Sequence, residues 1–213
     1  MHKGSQYVRA LEKILAEAAA MKVTVCVASG DQGATDAQTH GSLESCVGYP
    51  GSSPQVLACG GTMSSSDSEA VWNEGLDDQG ILWASGGGYS QLFQAPTFQV
   101  NHGVHFPKGQ SARRGVPDVA GLADRYMTYQ EAPNADDPSR PLEHWGTQNG
   151  TSAVAPLWAA LVAQLNQAHG AQLGYTNPLL YSRSGALCFS DSATGNNINP
   201  KVTDLNAWKA NSG

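Results

Sequence analysis

Val23-Thr24-Val25-Cys26-Val27-Ala28, running into Ser29-Gly30-Asp31-Gln32-Gly33, is the stretch that decides the fold. Its first six residues are almost wholly apolar and rich in β-branched side chains. That composition fits a parallel strand covered on both faces, and the Ser-Gly-Asp-Gln-Gly run ends it in a turn. Just upstream, Val8, Leu11, Ile14, Leu15 and Ala18 recur at three- and four-residue steps, which predicts an amphipathic helix over 6–20. A helix feeding a buried strand is the unit of a doubly wound α/β sheet.

Working outward, Gln55-Val56-Leu57-Ala58-Cys59 reads as a second apolar strand that runs into Gly60-Gly61-Thr62. Ser85-Gly86-Gly87-Gly88-Tyr89-Ser90 makes a loop whose missing side chains let backbone approach a ligand closely. The stretch 97–114 is aperiodic and reads as a surface loop before Val116-Pro117-Asp118-Val119-Ala120. From Ala153 to His169, Val154, Leu157, Trp158, Leu161, Val162 and Leu165 fall on one stripe, the most hydrophobic helix of the chain, with Gly170 as its stop. Beyond Tyr175 the apolar pattern dissolves into Asn, Ser, Asp and Gly. There is no internal repeat.

At 213 residues, 40% of them hydrophobic, the chain is long enough for one sizeable core, and one domain over 1–213 is expected. Lys+Arg number 12 against Asp+Glu 18, a net charge of -6 with no basic stripe, which argues against nucleic acid as a partner. No stretch approaches the ~20 consecutive apolar residues of a membrane span, and Met1-His2-Lys3-Gly4-Ser5 opens no apolar signal core. Cys26 and Cys59 lie in apolar runs as small hydrophobes; Cys46 and Cys188 lie in loop-like stretches where pairing stays open.

The chemistry centres on Asn149-Gly150-Thr151-Ser152-Ala153-Val154-Ala155-Pro156. A Ser directly before a long buried helix sits where outward-pointing N–H groups and the helix dipole favour developing negative charge. The plain alternative is that Thr151 or Ser152 only caps the helix. Small neighbours at Gly150, Ala153 and Ala155 leave the hydroxyl accessible, which a cap does not require. Asp31, likewise, is either a turn-former after a strand or a functional carboxyl. A carboxyl can donate a hydrogen bond to an oxyanion only while protonated, and a free Asp titrates near ~3.9, so such a site implies acid conditions or a raised pKa.

Residues 149–156 resemble the nucleophile motif shared by subtilisins and sedolisins, the serine-carboxyl peptidases. Residues 23–33 resemble the segment that supplies the oxyanion-hole side chain, where subtilisins place Asn and sedolisins place Asp, and this chain has Asp31. Tyr49-Pro50 with Val56 to Thr62, Val71-Trp72-Asn73, Ser85 to Ser90, Arg114 to Asp124, and Phe189 to Asn197 are similar to sedolisins alone, in the family's order. The resemblance implies a subtilisin-like doubly wound, mainly parallel sheet flanked by helices, incomplete at its N-terminus, within one partial peptidase catalytic domain. It implies Ser152 as nucleophile, Asp31 as oxyanion donor, and Ser85, Gly86, Gly87 and Gly88 as the edge that an extended peptide substrate lines up against.

The departures matter as much. Sedolisins use a Glu and an Asp on one helix as base and orienter, and no segment of this chain matches that helix; Glu12 and Glu17 read as a solvated helix face, and Glu44 sits in no matching motif. Asp31, His40 and Ser152 follow the subtilisin chain order, but His40 comes only nine positions after Asp31 and Asp31 already matches the oxyanion position. Asp191 and Ser192 resemble the first ligands of the family's calcium site, with the carbonyls of Asn211 and Gly213 as the remaining partners and the closing carboxylate missing. A hard ion wanting ~6 to 8 oxygens should bind so incomplete a set weakly or not at all, and Asp191 could equally cap a Gly-rich turn. Gly48 before Tyr49 offers no acidic anchor for a basic substrate side chain. The expectation is thus a sedolisin-type endopeptidase, truncated at both ends, inactive alone for want of its base, and secreted as its family is, though without a signal peptide here. The alternative is a non-catalytic peptide-binding or relic fragment.

Overall fold

The computed structural model describes residues 3–35, 46–65, 68–101, 111–135, 137, 139–182, 187–190 and 194–201. In chain order the elements are α1 (Lys3–Ala20), β1 (Cys26–Ala28), β2 (Leu57–Ser65), β3 (Ser68–Val71), β4 (Asn73–Leu76), β5 (Leu82–Ala84), β6 (Gly88–Gln94), α2 (Thr97–Val100), β7 (Arg113–Val116), β8 (Val119–Leu122), β9 (Tyr126–Ala132), β10 (Leu142–Gln148), α3 (Thr151–His169) and α4 (Asn177–Leu180).

The two apolar runs read as strands pair in parallel, Cys26 with Leu57, Val27 with Ala58 and Ala28 with Cys59. β8 adds a third parallel strand on β2, Cys59 opposite Val119 through Thr62 opposite Leu122. The far end of β2 turns antiparallel with β3, Thr62 facing Val71. α3 packs across β1 and β2. Leu57, Cys59, Trp72, Val119, Ala123, Val154 and Ala155 close the core beneath it. Each fully buried Leu or Val there, Leu57 and Val154 among them, contributes about 1.5–3 kcal/mol. The centre is thus a set of parallel strands with α3 packed against it.

Beside this apolar core lies a buried polar one. Arg114 is 0% exposed and its guanidinium meets both carboxylate oxygens of Asp118, at 2.7 Å and 2.5 Å. Asp118 also accepts from Tyr181 Oη, Asn177 Nδ2 and the Ala58 amide, while Gln99 bridges Gly115 and Tyr181. Burial is the largest single influence and would lower the Arg114 pKa, yet the Asp118 charge, its hydrogen bonds to the guanidinium and the neighbouring Tyr181 and Tyr175 together outweigh it and hold the guanidinium above its ordinary value. Burial, then Asp118, pushes the Tyr181 phenol up, and burial brings Tyr175 to about 12.

Several expectations need correction. The stretch 97–114 is not loop throughout, because Phe98 and Gln99 are pulled into the core and set the turn of α2. The apolar stripe of α3 is covered on one flank only: Val154 and Val162 are buried against the sheet, while Leu157, Leu161 and Leu165 are 51%, 41% and 45% exposed. Glu12 is half-buried rather than solvated, its Oε1 buried without a hydrogen-bond partner. It lies close enough to Tyr49 to help burial push that phenol to about 12. β9 and β10 form an antiparallel ribbon, Tyr129 opposite Trp145, that no apolar period announces. The four cysteines are all thiols, Cys46 buried and Cys188 exposed. Among the described residues no helix is long and apolar enough to cross a membrane.

Candidate active site

Two turns meet at the start of α3. One follows β1, where Gly30 takes a positive φ of 112°, and the other is Asn149-Gly150, where Gly150 takes φ 140°. Between them Asp31 Oδ1 accepts hydrogen bonds from the Thr151 amide and the Thr151 hydroxyl, each at 2.7 Å. The hydroxyl also lies 3.1 Å from the Gly30 carbonyl, but its single proton goes to the shorter, charge-assisted contact. It accepts in turn from the Gly30 amide at 3.2 Å. A carboxylate from a distant turn therefore caps α3 and sits at the positive end of its dipole.

That arrangement answers the capping question. Thr151 is fully buried and spent on Asp31 and Gly30, whereas Ser152, one residue further, is exposed. Among the described residues the Ser152 hydroxyl makes no hydrogen bond, to carboxylate, imidazole or backbone. Pro156 is the sixth residue of α3, not part of its first turn, and brings no N–H to the Ser152 carbonyl four residues back.

Glycine at 150 is required twice over. Its φ is one that L side chains rarely adopt, and a Cβ there would stand 3.1 Å from Asp31 Oδ2. Its amide donates to the Ala123 carbonyl at 2.7 Å. Asn149 is strapped from both ends: its Nδ2 donates to Glu74 Oε1 at 2.6 Å and its Oδ1 accepts from the Arg125 amide at 2.6 Å. Glu74 also accepts from Trp72 Nε1 at 2.8 Å. Sequence reasoning missed Glu74 and Arg125, because their partner is set by the crossing of β4 and the turn before α3, and no spacing encodes it.

The loop 85–88 lies against the same corner. The Gly86 amide donates to the Gly30 carbonyl at 2.7 Å, and a Cβ on Gly86 would be 2.1 Å from the Ser29 carbonyl. Ser85 is buried; its amide donates to Trp72 O, and its Oγ accepts from the Gly61 amide at 2.9 Å. The close approach that demands Gly86 is thus to the protein's own Asp31 turn. Asp31 itself is fixed at the main chain, its carbonyl accepting from the Ala84 amide at 2.9 Å.

The structure brings together Ser152, Asp31 and Ser85 to Gly88. His144, which the sequence reads as a loop residue like His102 and His105, is instead exposed on strand β10. His40, His102, His105 and Glu44 lie outside the described residues, as do all four calcium candidates, Asp191, Ser192, Asn211 and Gly213. Among the described residues no group of three or more His, Cys, Asp or Glu side chains could hold a metal.

No protein-family model matches the chain. It is 40% identical over 197 residues to kumamolisin of Bacillus sp. (strain MN-32), covering 89% of this chain and 33% of that protein. It is 34% identical over 205 residues to sedolisin of Pseudomonas sp. (strain 101), covering 89% and 32%. It is 31% identical over 199 residues to tripeptidyl-peptidase 1 of Homo sapiens, covering 87% and 32%. The chain thus spans about a third of the length of the curated relatives it matches. Among solved structures, Pseudomonas sedolisin, a serine-carboxyl proteinase complexed with two molecules of pseudo-iodotyrostatin, superposes with a TM-score of 0.74 at 30% identity, covering 99% of this chain and 55% of that one.

Proposed function

The chain belongs to the sedolisin family by sequence and fold, and on that premise we propose that it is part of a serine-type endopeptidase that cleaves peptide bonds in acid through an acyl-enzyme. The observation that carries the reading is the pairing of an exposed, unspent Ser152 with an Asp31 carboxyl held at the N-terminus of the same helix.

Ser152 Oγ attacks the carbonyl carbon of the scissile bond and gives its proton to a carboxylate base. Asp31 is the oxyanion donor of this reading, and its hold on the Thr151 amide and hydroxyl fixes the carboxyl group at the start of α3. A donor held this rigidly is worth more to the transition state than a mobile one, since nothing reorganises as charge develops. Collapse of the tetrahedral intermediate expels the amine, which takes the serine proton from the base; water, deprotonated by the same base, then attacks the acyl carbon, and Ser152 Oγ leaves with the proton restored. The peptide lies along the Ser85 to Gly88 edge. The base is assigned to a further stretch of sedolisin polypeptide, a Glu and an Asp on one helix. Secretion and a calcium requirement are expectations that come with the family.

The test is peptide hydrolysis near pH 4 by residues 1–213 alone. The expected result is no turnover; turnover abolished by Ser152→Ala would overturn the assignment of the base to other polypeptide. A second reading, a peptide-binding fragment without chemistry, is favoured by the Ser152 hydroxyl having no hydrogen-bonded base among the described residues. Peptide affinity that survives Ser152→Ala, with no turnover when the base-bearing polypeptide is added, would select it.

A further inference from the structure

Asn197 is buried, 3% exposed, in a segment without regular structure, yet it touches both parts of the site. Its side-chain amide gives its two hydrogens to the Ser85 carbonyl at 3.1 Å and the Gly87 carbonyl at 3.2 Å. Its main-chain carbonyl accepts from the Ala34 amide at 2.9 Å, and stands so close to Gly33 that a Cβ there would be 2.4 Å away. One residue therefore clamps the glycine loop on one side and the turn that carries Asp31 on the other.

The rest of the segment is fastened elsewhere. Asn73 Nδ2 donates to the Asn196 carbonyl at 2.9 Å, and the Thr194 hydroxyl donates to the Glu69 carbonyl at 3.0 Å. These bonds anchor the strap to β3 and β4, so Asn197 pulls against a fixed point. The carbonyls of Ser85 and Gly87 are thus turned inward to Asn197, and the Gly86 amide is committed to Gly30.

We infer that Asn197 is a positioning residue that holds the Ser85 to Gly88 edge in fixed register with Asp31. The inference rests on reading that edge as the peptide's binding edge. Removing the amide leaves two inward carbonyls without donors, a loss that falls on the loop and the 30–34 turn and not on the parallel strands.

The experiment pairs amide hydrogen exchange with titration of an N-acetylated, C-amidated apolar hexapeptide, on the full chain. Asn197→Ala is compared with Asn197→Asp, which keeps the shape but sets an acceptor against two carbonyls, and with Thr194→Val, which removes one side-chain anchor of the segment while Asn73 and the Val71 amide still hold it. The expected result is exchange roughly 10- to 100-fold faster at Gly86 and Gly33 in both Asn197 variants, unchanged at Leu57 to Cys59, with peptide affinity weakened by a similar factor. Thr194→Val should leave both readouts unchanged. Exchange that rises uniformly, loss of folding in both Asn197 variants, or unaltered exchange at Gly86 and Gly33 would overturn the inference. If the wild-type chain binds no peptide, the peptide-edge reading fails by itself, and the exchange pattern alone decides whether Asn197 positions the loop.

Discussion

Two polar regions of this molecule are built to opposite ends. Around Arg114 and Asp118, both side chains fully buried, polar atoms are spent on one another: guanidinium on carboxylate, carboxylate on Tyr181, Asn177 and the Ala58 amide. At the start of α3 the spending stops one residue short. Asp31 consumes Thr151, and Ser152 is left exposed with its hydroxyl uncommitted. The difference teaches that a satisfied polar cluster holds the scaffold, while an unsatisfied residue beside it is what chemistry can use.

The comparison breaks most easily at its buried side. Asp118→Ala leaves Arg114 charged and unpaired in the core and should cost about 3–5 kcal/mol of unfolding free energy by urea titration. A cost under about 1 kcal/mol would show the network to be dispensable. Gly150→Ala, which forces a Cβ toward Asp31 Oδ2 at an unfavourable φ, should cost about 1–3 kcal/mol and disturb the Ser152 turn in the same measurement.

Asp31→Ala removes the cap on α3 and the partner of the Thr151 hydroxyl, and about 1–2 kcal/mol is expected. If it costs as much as Asp118→Ala, the two regions are not different in kind. A pH titration separates them further. Burial brings Tyr175 to about 12, so the folded chain holds a proton that the unfolded chain, with Tyr near ~10, gives up. Stability from this group is therefore complete below about pH 10 and is lost as pH rises toward 12, read as a falling urea midpoint over that window alongside tyrosinate absorbance. Ser152→Ala is the smallest change, within about 0.5 kcal/mol of wild type. A larger loss would mean that the Ser152 hydroxyl is structural after all.

Much of the fold was legible because burial writes itself into composition. Leu57–Cys59 is buried on both faces, and its unbroken apolar run says so; Cys26–Ala28, just as apolar and expected to be covered on both faces, is only half-buried because β1 stands at the edge of its sheet. The ribbon β9–β10 was not legible, since most of its residues are exposed on both faces and no alternation survives. The α3 stripe was legible as apolar but not as half-covered, because period reports which residues share a face and not what packs against it. In the site, Ser152 and Asp31 could be named from local motifs, whereas Glu74, Arg125 and Asn197 could not.

Sequence by itself determined the parallel centre, the helix that carries Ser152, and the residue types at the corner, because strand and helix periods and glycine punctuation are local properties of the chain. Only the tertiary structure decided that Asp31, and not Thr151 or Ser152, caps α3, that Gly86 serves the Ser29 carbonyl, and that Asn197 spans the two loops. Those contacts join residues about 50 to 120 positions apart, and a hydrogen bond over such a separation exists only once folding has met the cost of closing the chain between them.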